Sequence, residues 1–202
     1  MPGIEVLLPI GAIAFYAYDS ALLLYSNERL ITRTGQRWVT AHSAGLYLLG
    51  RTIYAPGLLS PHRPLFRLPW PIEPRQSVES STLLPDFLRV LRPIQLMVWA
   101  LLLLLIAALP LVSWLYGAGP HMLAVFVVYY LVLLAALLTV YLRRTQLGLT
   151  NKAFGGLMFD VCACAPFGVN LVNKLTLRRS VAGDSLYGEL QAAALQTQEA
   201  PA

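Results

Sequence analysis

The stretch Pro93 to Tyr116, PIQLMVWALLLLLIAALPLVSWLY, decides the class of this chain. It contains no charged residue, and at about 1.5 Å rise per residue it can cross the roughly 30 Å hydrocarbon core of a bilayer. A second such run, His121 to Leu142, follows directly after the short connection GAGP. The run Ile4 to Tyr25 is a third, with Glu5 and Asp19 as its only charges. The sequence therefore predicts three transmembrane helices, at residues 4–25, 93–116 and 121–142.

The composition agrees with a membrane protein. Hydrophobic residues make up 57% of the chain and charged residues 12%, whereas soluble domains carry about 25% charged residues. The net charge of +5 could indicate nucleic-acid binding in a soluble protein, but here the basic residues flank apolar runs. We therefore expect the lipid bilayer as their partner and no nucleic acid.

Lysine and arginine predict the orientation. All 15 lie either between the first and second apolar runs or after the third, and the GAGP connection has none. Because cytoplasmic segments carry the excess of basic residues, the N-terminus is expected outside and the C-terminus inside. The protein is thus predicted to be a multi-pass protein of the cytoplasmic membrane.

Residues 26–91 are predicted to form most of a small cytoplasmic domain. Apolar runs around Gly35 and Gly50 indicate a β-meander of about four strands between residues 28 and 55. A strap with six prolines between Pro56 and Pro74 follows, for which we expect an extended conformation. A short helix over residues 83–91, capped by a hydroxyl from residues 80–82, leads into the second span.

Residues 143–180 contain the run Phe159 to Asn173, FDVCACAPFGVNLVN, which is apolar enough to suggest a fourth span. Asp160, Pro166 and the charge asymmetry argue against it. We expect residues 154–165 at the membrane interface, with a short helix as one option. Odd and even positions alternate from Phe167 to Leu177, which predicts a half-buried strand. Residues 181–202 are predicted to be a flexible tail with one weak helical stretch.

The predicted fold class is an α+β integral membrane protein. Three transmembrane helices, with the N-terminus out and the C-terminus in, carry a small cytoplasmic β-domain. That domain is expected to combine the loop at residues 28–55 with the C-terminal strand.

Asp19, with Tyr16 and Ser20 beside it, is the predicted intramembrane polar site. In a helix ending at Tyr25 the carboxylate would lie about 9 Å from the inner end of the span. A carboxylate at that depth suggests function or contact with a partner, and the alternative is pairing within the chain. A helix-packing role is favoured over proton or ion transfer.

Cys162 and Cys164 form a C-x-C pair, which could be a thiol site or a site of acylation. Zinc sites usually supply two C-x-x-C pairs, or one such pair with two histidines. His42 and His62 are the only histidines on the same predicted side of the membrane, and their spacing is not that of a ligand pair. We therefore expect no metal and no cofactor, and favour packing for both thiols.

The function predicted from these observations is that of a non-catalytic accessory or scaffold subunit of a cytoplasmic-membrane assembly. Trp38, Phe66 and Trp70 are the candidate contacts to a protein partner or to a second copy in the membrane. Two alternatives stay open. One is a membrane-interface enzyme or lipid-handling protein that uses Asp160 with the two cysteines. The other is a small oligomeric transporter with Asp19 in its path.

Overall fold

The structure is a computed structural model, and it divides the chain into two compact units. The first, the helical unit, comprises Met1–Ser20 and Arg92–Leu171, and the second, the strand-rich unit, comprises Ala21–Leu91 and Val172–Ala202. The residues that the structure describes are 3–25, 27–34, 37–41, 46–48, 51–54, 57–69, 83–117, 119–179 and 185–199. The fold is α+β and mostly helical in this part of the chain.

Helices build the first unit. In chain order they are α1 (Ile4–Ser20), α2 (Leu83–Leu103), a π-helical segment (Leu104–Ala108), α3 (Leu109–Tyr116), α4 (Pro120–Leu142), α5 (Asn151–Ala163) and a 3-10 helix (Ala165–Asn170). Residues 83–91 of α2 belong to the strand-rich unit. Helix α1 packs against α3, the π-helical segment and the 3-10 helix.

Two helices in the described part of the chain are long and apolar enough to cross a membrane, namely Leu83–Tyr116 and Pro120–Leu142. Helix α1 has 17 residues, which is about 26 Å against a hydrocarbon core of roughly 30 Å. The prediction of a first helix that continues to Tyr25 is wrong at its C-terminal end, because Leu22–Leu24 form a strand. The first span therefore stays a prediction.

The sequence predicts a kink at Pro110, and the structure places a π-helical segment over the turn before it. Proline has no backbone N–H, and its ring clashes with the carbonyl four residues earlier in a regular helix. A wider π-turn relieves that clash while the helix continues. The second apolar helix thus runs from Leu83 to Tyr116 as α2, the π-helical segment and α3. Gly117, with φ of 66°, ends it.

Helix α4 exposes an apolar stripe along its length. The exposed side chains recur at intervals of three or four residues, as expected for one face of a helix. They are Leu123, Val127, Leu131, Leu134, Leu138 and Leu142. The opposite face packs inward through Leu133, Ala136 and Val140. In water such a stripe would be a large exposed apolar patch, whereas hydrocarbon solvates it without cost.

Two antiparallel three-stranded sheets form the strand-rich unit. Their strands are β1 (Leu22–Leu24), β2 (Glu28–Thr34), β3 (Arg37–Ala41), β4 (Leu46–Leu48), β5 (Arg51–Tyr54) and β6 (Leu65–Pro69). The strand orders are β1-β5-β4 and β3-β2-β6. Leu30, Ile31, Phe66 and Leu68 are buried and form part of its core.

The two predicted hairpins are present, but they do not form one meander. Thr34 pairs with Arg37 in one hairpin, and Leu48 pairs with Arg51 in the other. Each hairpin recruits a third strand from a segment to which the sequence assigned no strand. β1 comes from the end of the predicted first span, and β6 from the proline-rich strap. β6 is an edge strand, the position where proline at a strand end is tolerated.

The predicted C-terminal strand over residues 167–177 is wrong. The 3-10 helix and helix α6 (Leu171–Arg179) occupy this segment. The alternating pattern of polar and apolar residues gave a wrong prediction because polar residues are buried in this segment as well as apolar ones. Asn170, Asn173 and Thr176 recur every three residues on the helical path and are all buried. Thr176 accepts a hydrogen bond from the Leu65 amide of β6 at 3.3 Å, so its hydroxyl ties α6 to the sheet.

The helical stretch expected in the tail is present as helix α7 (Ser185–Glu199), so residues 185–199 are not the flexible segment predicted for the tail as a whole. Leu186 and Leu190 are fully buried, and the helix packs on β3 and β6. The Glu189 carboxylate accepts from the amides of Leu83 (3.2 Å) and Leu84 (2.8 Å). It thereby satisfies two of the orphan donors at the start of α2. The predicted cap at residues 80–82 lies outside the described residues.

Candidate functional site

The predicted intramembrane polar site is the end of helix α1, where the structure adds a fourth residue, Asn170. The Asn170 side-chain amide donates to Asp19 Oδ2 at 2.9 Å and to Ser20 Oγ at 3.0 Å. Ser20 Oγ in turn donates to the Tyr16 carbonyl at 2.8 Å. Tyr16, Ser20 and Asn170 are buried, and Asp19 is half-buried. This set of four residues is called the Asn170 cluster below.

Asp19 is the penultimate residue of α1, so it does not lie one and a half turns inside the helix as predicted. A carboxylate near a helix C-terminus meets the negative end of the helix dipole. The Asn170 amide offsets that repulsion by donating a charge-assisted hydrogen bond. The cluster therefore joins α1 to the 3-10 helix through hydrogen bonds.

Asn170 was missed because it was counted as one polar position of the predicted strand. The available signal was its residue type: an asparagine within an apolar run must find partners when it is buried. Gly168, two residues earlier, allows the 3-10 helix to lie close against α4. A Cβ atom at Gly168 would meet Leu133 Cδ1.

A pocket of about 450 Å³ opens within the helical unit. Its walls come from α1, the π-helical segment with the start of α3, α4, and the chain between α5 and the 3-10 helix. Typical described residues of the lining are Gly11, Phe15, Leu105, Phe126 and Ala165, and no charged side chain is among the lining residues that the structure describes. This volume is within the range of about 300–1,000 Å³ for small-molecule sites.

Tyr129 fixes one corner of this pocket. Its hydroxyl donates to the Ala165 carbonyl at 3.1 Å and so ties α4 to the first residue of the 3-10 helix. That carbonyl lies where the chain leaves α5, at a break that Cys164 forms with an extended backbone. The ring of Tyr129 thus lines the pocket while its hydroxyl donates to a backbone carbonyl.

The candidate thiol site lies at the end of α5. Cys162 is exposed, and Cys164 is half-buried in the lining of the pocket. Asp160 is exposed on the same helix, and its carbonyl accepts from the Cys164 amide at 3.2 Å. Among the described residues, no group of three or more His, Cys, Asp or Glu side chains could hold a metal ion. His42 lies outside the described residues.

The three predicted partner contacts differ in exposure. Phe66 is fully buried, so it is a core residue of the strand-rich unit and not an exposed contact. Trp38 is half-buried, with its ring centroid 5.9 Å from that of Phe66. Trp70 lies outside the described residues. In the described part of the strap, residues 57–69, the exposed large apolar side chains are instead Leu58 (42% exposed) and Leu59 (71% exposed).

Hydrogen bonds hold the turn that carries these leucines. The Ser60 amide donates to the Gly57 carbonyl at 2.8 Å, and the Arg63 amide donates to the Ser60 carbonyl at 3.1 Å. Thr32 Oγ1 on β2 donates to the Pro64 carbonyl at 3.0 Å. Burial, reinforced by the adjacent Arg63, lowers the pKa of His62. The turn is therefore tied to the sheet while its leucines point outward.

Comparisons of the chain with protein-family models, with curated proteins and with solved structures find no match. Function must therefore be argued from the residues and their geometry.

Proposed function

We propose that the protein is a non-catalytic accessory subunit of a cytoplasmic-membrane assembly. Three apolar helices would anchor it, with the N-terminus outside and the C-terminus inside, and the strand-rich unit would contact a protein partner. The observation that carries this proposal is the turn at residues 57–64, which holds Leu58 and Leu59 exposed.

Two adjacent exposed leucines on a hydrogen-bonded turn favour a contact surface on physical grounds. Full burial of a leucine side chain contributes about 1.5–3 kcal/mol. Because the turn is already tied to β2 through Thr32, little conformational entropy would be lost when a partner covers it. A protein is favoured as the partner because the anchoring helices would confine the protein to a membrane, where a tethered contact gains effective concentration.

A photo-crosslinking leucine analogue at position 59 tests this proposal in the full chain at native expression. We expect a protein adduct of defined mass that disappears with unlabelled Leu59 and that a Leu58→Ser substitution weakens. The same analogue at Leu23, an exposed leucine on β1 whose exposure of 45% is close to the 42% of Leu58, is the control and should give no such adduct. Adducts with lipid alone would assign the leucines to the membrane headgroup region. A monomer without any protein adduct would refute the accessory role.

Lipid handling is the second candidate function, and the apolar pocket of the helical unit favours it. An enzymatic form of this function would need Cys162 and Cys164, so replacement of both by alanine should abolish it. The remaining alternative is a transporter with Asp19 in its path. Flux in proteoliposomes that survives Asp19→Asn would remove Asp19 as a proton or ion carrier, and the hydrogen bond to Asn170 favours this result.

A further inference from the structure

The apolar pocket of the helical unit is a feature that the accessory role does not use. Within the described part of the chain, its lining includes Tyr129 and Tyr130 but no charged side chain. The Tyr129 hydroxyl is engaged by the Ala165 carbonyl, so the pocket has few polar groups that could hold water. Water in a cavity needs two to four polar partners, whereas an empty cavity forfeits the dispersion contacts of its lining. The pocket is therefore suited to hydrocarbon.

Sequence features create this space. Small residues line two of its walls, with Gly11 and Ala12 on α1 and Ala163 and Ala165 at the break after α5. A third wall includes the π-helical segment, where the regular helix widens. At Gly11 a built Cβ atom has no neighbour within 4 Å, so the glycine faces open space. Without a side chain at this position the pocket extends to the backbone of α1.

We propose that this pocket binds one hydrocarbon chain of a bilayer phospholipid. Its α4 wall consists of Val125, Phe126, Tyr129 and Tyr130, and it adjoins the exposed apolar stripe of the same helix at Val127, so a chain can enter from surrounding lipid. A helix from a second copy is the competing occupant, and the test below distinguishes it from lipid.

A phosphatidylcholine with a diazirine in one acyl chain tests this proposal with the full protein in nanodiscs. After photolysis and mapping to single residues, we expect the label on lining residues in preference to the outer stripe of α4. The lining residues expected to be labelled are Phe15, Leu104, Leu105, Leu109, Phe126 and Tyr129. A single lipid should also remain bound after detergent extraction and washing, as measured by native mass spectrometry.

Gly11→Leu adds a side chain at the pocket wall, where a built Cβ atom meets nothing within 4 Å, and improves the helix propensity of α1. It should lower pocket labelling about tenfold, equivalent to about 1.4 kcal/mol, and leave labelling of the outer stripe unchanged. Gly156→Leu is the matched control, because its built Cβ atom also meets nothing within 4 Å and Gly156 is outside the lining. The pocket residues of the Gly156→Leu protein should be labelled to the same extent as those of the unmodified protein.

Three results would overturn the proposal. One is label spread evenly over all apolar faces, which indicates surrounding lipid only. Another is equal labelling of the pocket in both leucine variants. The third is a pocket that excludes the probe in a stable dimer, which assigns it to a second copy. Thermal melting of the Gly11→Leu protein separates a filled pocket from a failed fold, and the labelling map of the unmodified protein decides independently of the variant.

Discussion

Removal of the Asn170 side chain is the sharpest test of how the helical unit is held together. Asn170→Ala eliminates the hydrogen bonds to Asp19 Oδ2 and to Ser20 Oγ. A hydrogen bond to a charged group contributes about 1.5–3 kcal/mol and a neutral one about 0.5–1.5 kcal/mol. We expect the free energy of unfolding to fall by about 2–4 kcal/mol, near the lower end if lipid or water replaces one donor.

A double-mutant cycle isolates the contact with Asp19. The variants Asp19→Ala, Asn170→Ala and the double substitution are compared by titration with sodium dodecyl sulfate, read by tryptophan fluorescence. The expected coupling energy is about 1–2 kcal/mol. Asp19→Asn is the matched control, because it keeps an acceptor for the Asn170 amide, and it should lose less stability than Asp19→Ala.

A coupling energy below about 0.3 kcal/mol would refute this reasoning, since independent sites add within about that error. The same result would favour the other roles that the sequence allows for Asp19, namely transport or contact with a partner. A large loss of stability in Asn170→Ala without coupling to Asp19 would instead assign that loss to the hydrogen bond between Asn170 and Ser20.

Glu189→Ala should release the first two amides of α2, which would cost about 0.5–2 kcal/mol of stability and raise the hydrogen-exchange rates of these amides. Glu189→Gln keeps an acceptor and should cost less. Unchanged exchange in Glu189→Ala would exclude Glu189 as the cap of α2. Gly168→Ala should destabilise the protein by about 1–3 kcal/mol through overpacking against Leu133. In the Gly168→Ala protein, the additional substitution Leu133→Val should restore part of the lost melting temperature. If it restores none, the overpacking does not involve Leu133. The folded-state pKa of His62 is below its ordinary 6.5, so the unfolded chain binds the proton more readily. The stability that His62 contributes should be present above about pH 6.5 and be lost as the pH falls toward the lowered pKa. Melting curves between about pH 7.5 and 5 check this, because His62→Gln should flatten that part of the profile.

Local sequence patterns were sufficient for some elements. The two longest apolar helices follow from uninterrupted apolar runs, because hydrocarbon-facing and buried positions demand the same residue types. The two hairpins follow from apolar runs around a glycine, a signal that acts over a few residues. The interruption near Pro110 follows from the missing amide of proline.

Other elements depend on contacts that are distant in the sequence. Leu22–Leu24 are as apolar as the helix before them, and only pairing with β5 makes them a strand. Residues 171–179 are helical although their polarity alternates, because Asn173 and Thr176 are buried together with their apolar neighbours. Helix α7 has a weak pattern of its own and is stabilised by the strands beneath it.

By itself, the sequence determined that this chain carries two long apolar helices and two hairpins, since those depend on composition and on short-range patterns. Only the tertiary structure decided where α1 ends, that residues 171–179 are helical and that Asn170 meets Asp19. Asn170 and Asp19 are 151 positions apart, and the hydrogen bond forms because the 3-10 helix packs on α1. No pattern within either segment carries that information, because a buried polar residue is stable only with a partner that the fold supplies.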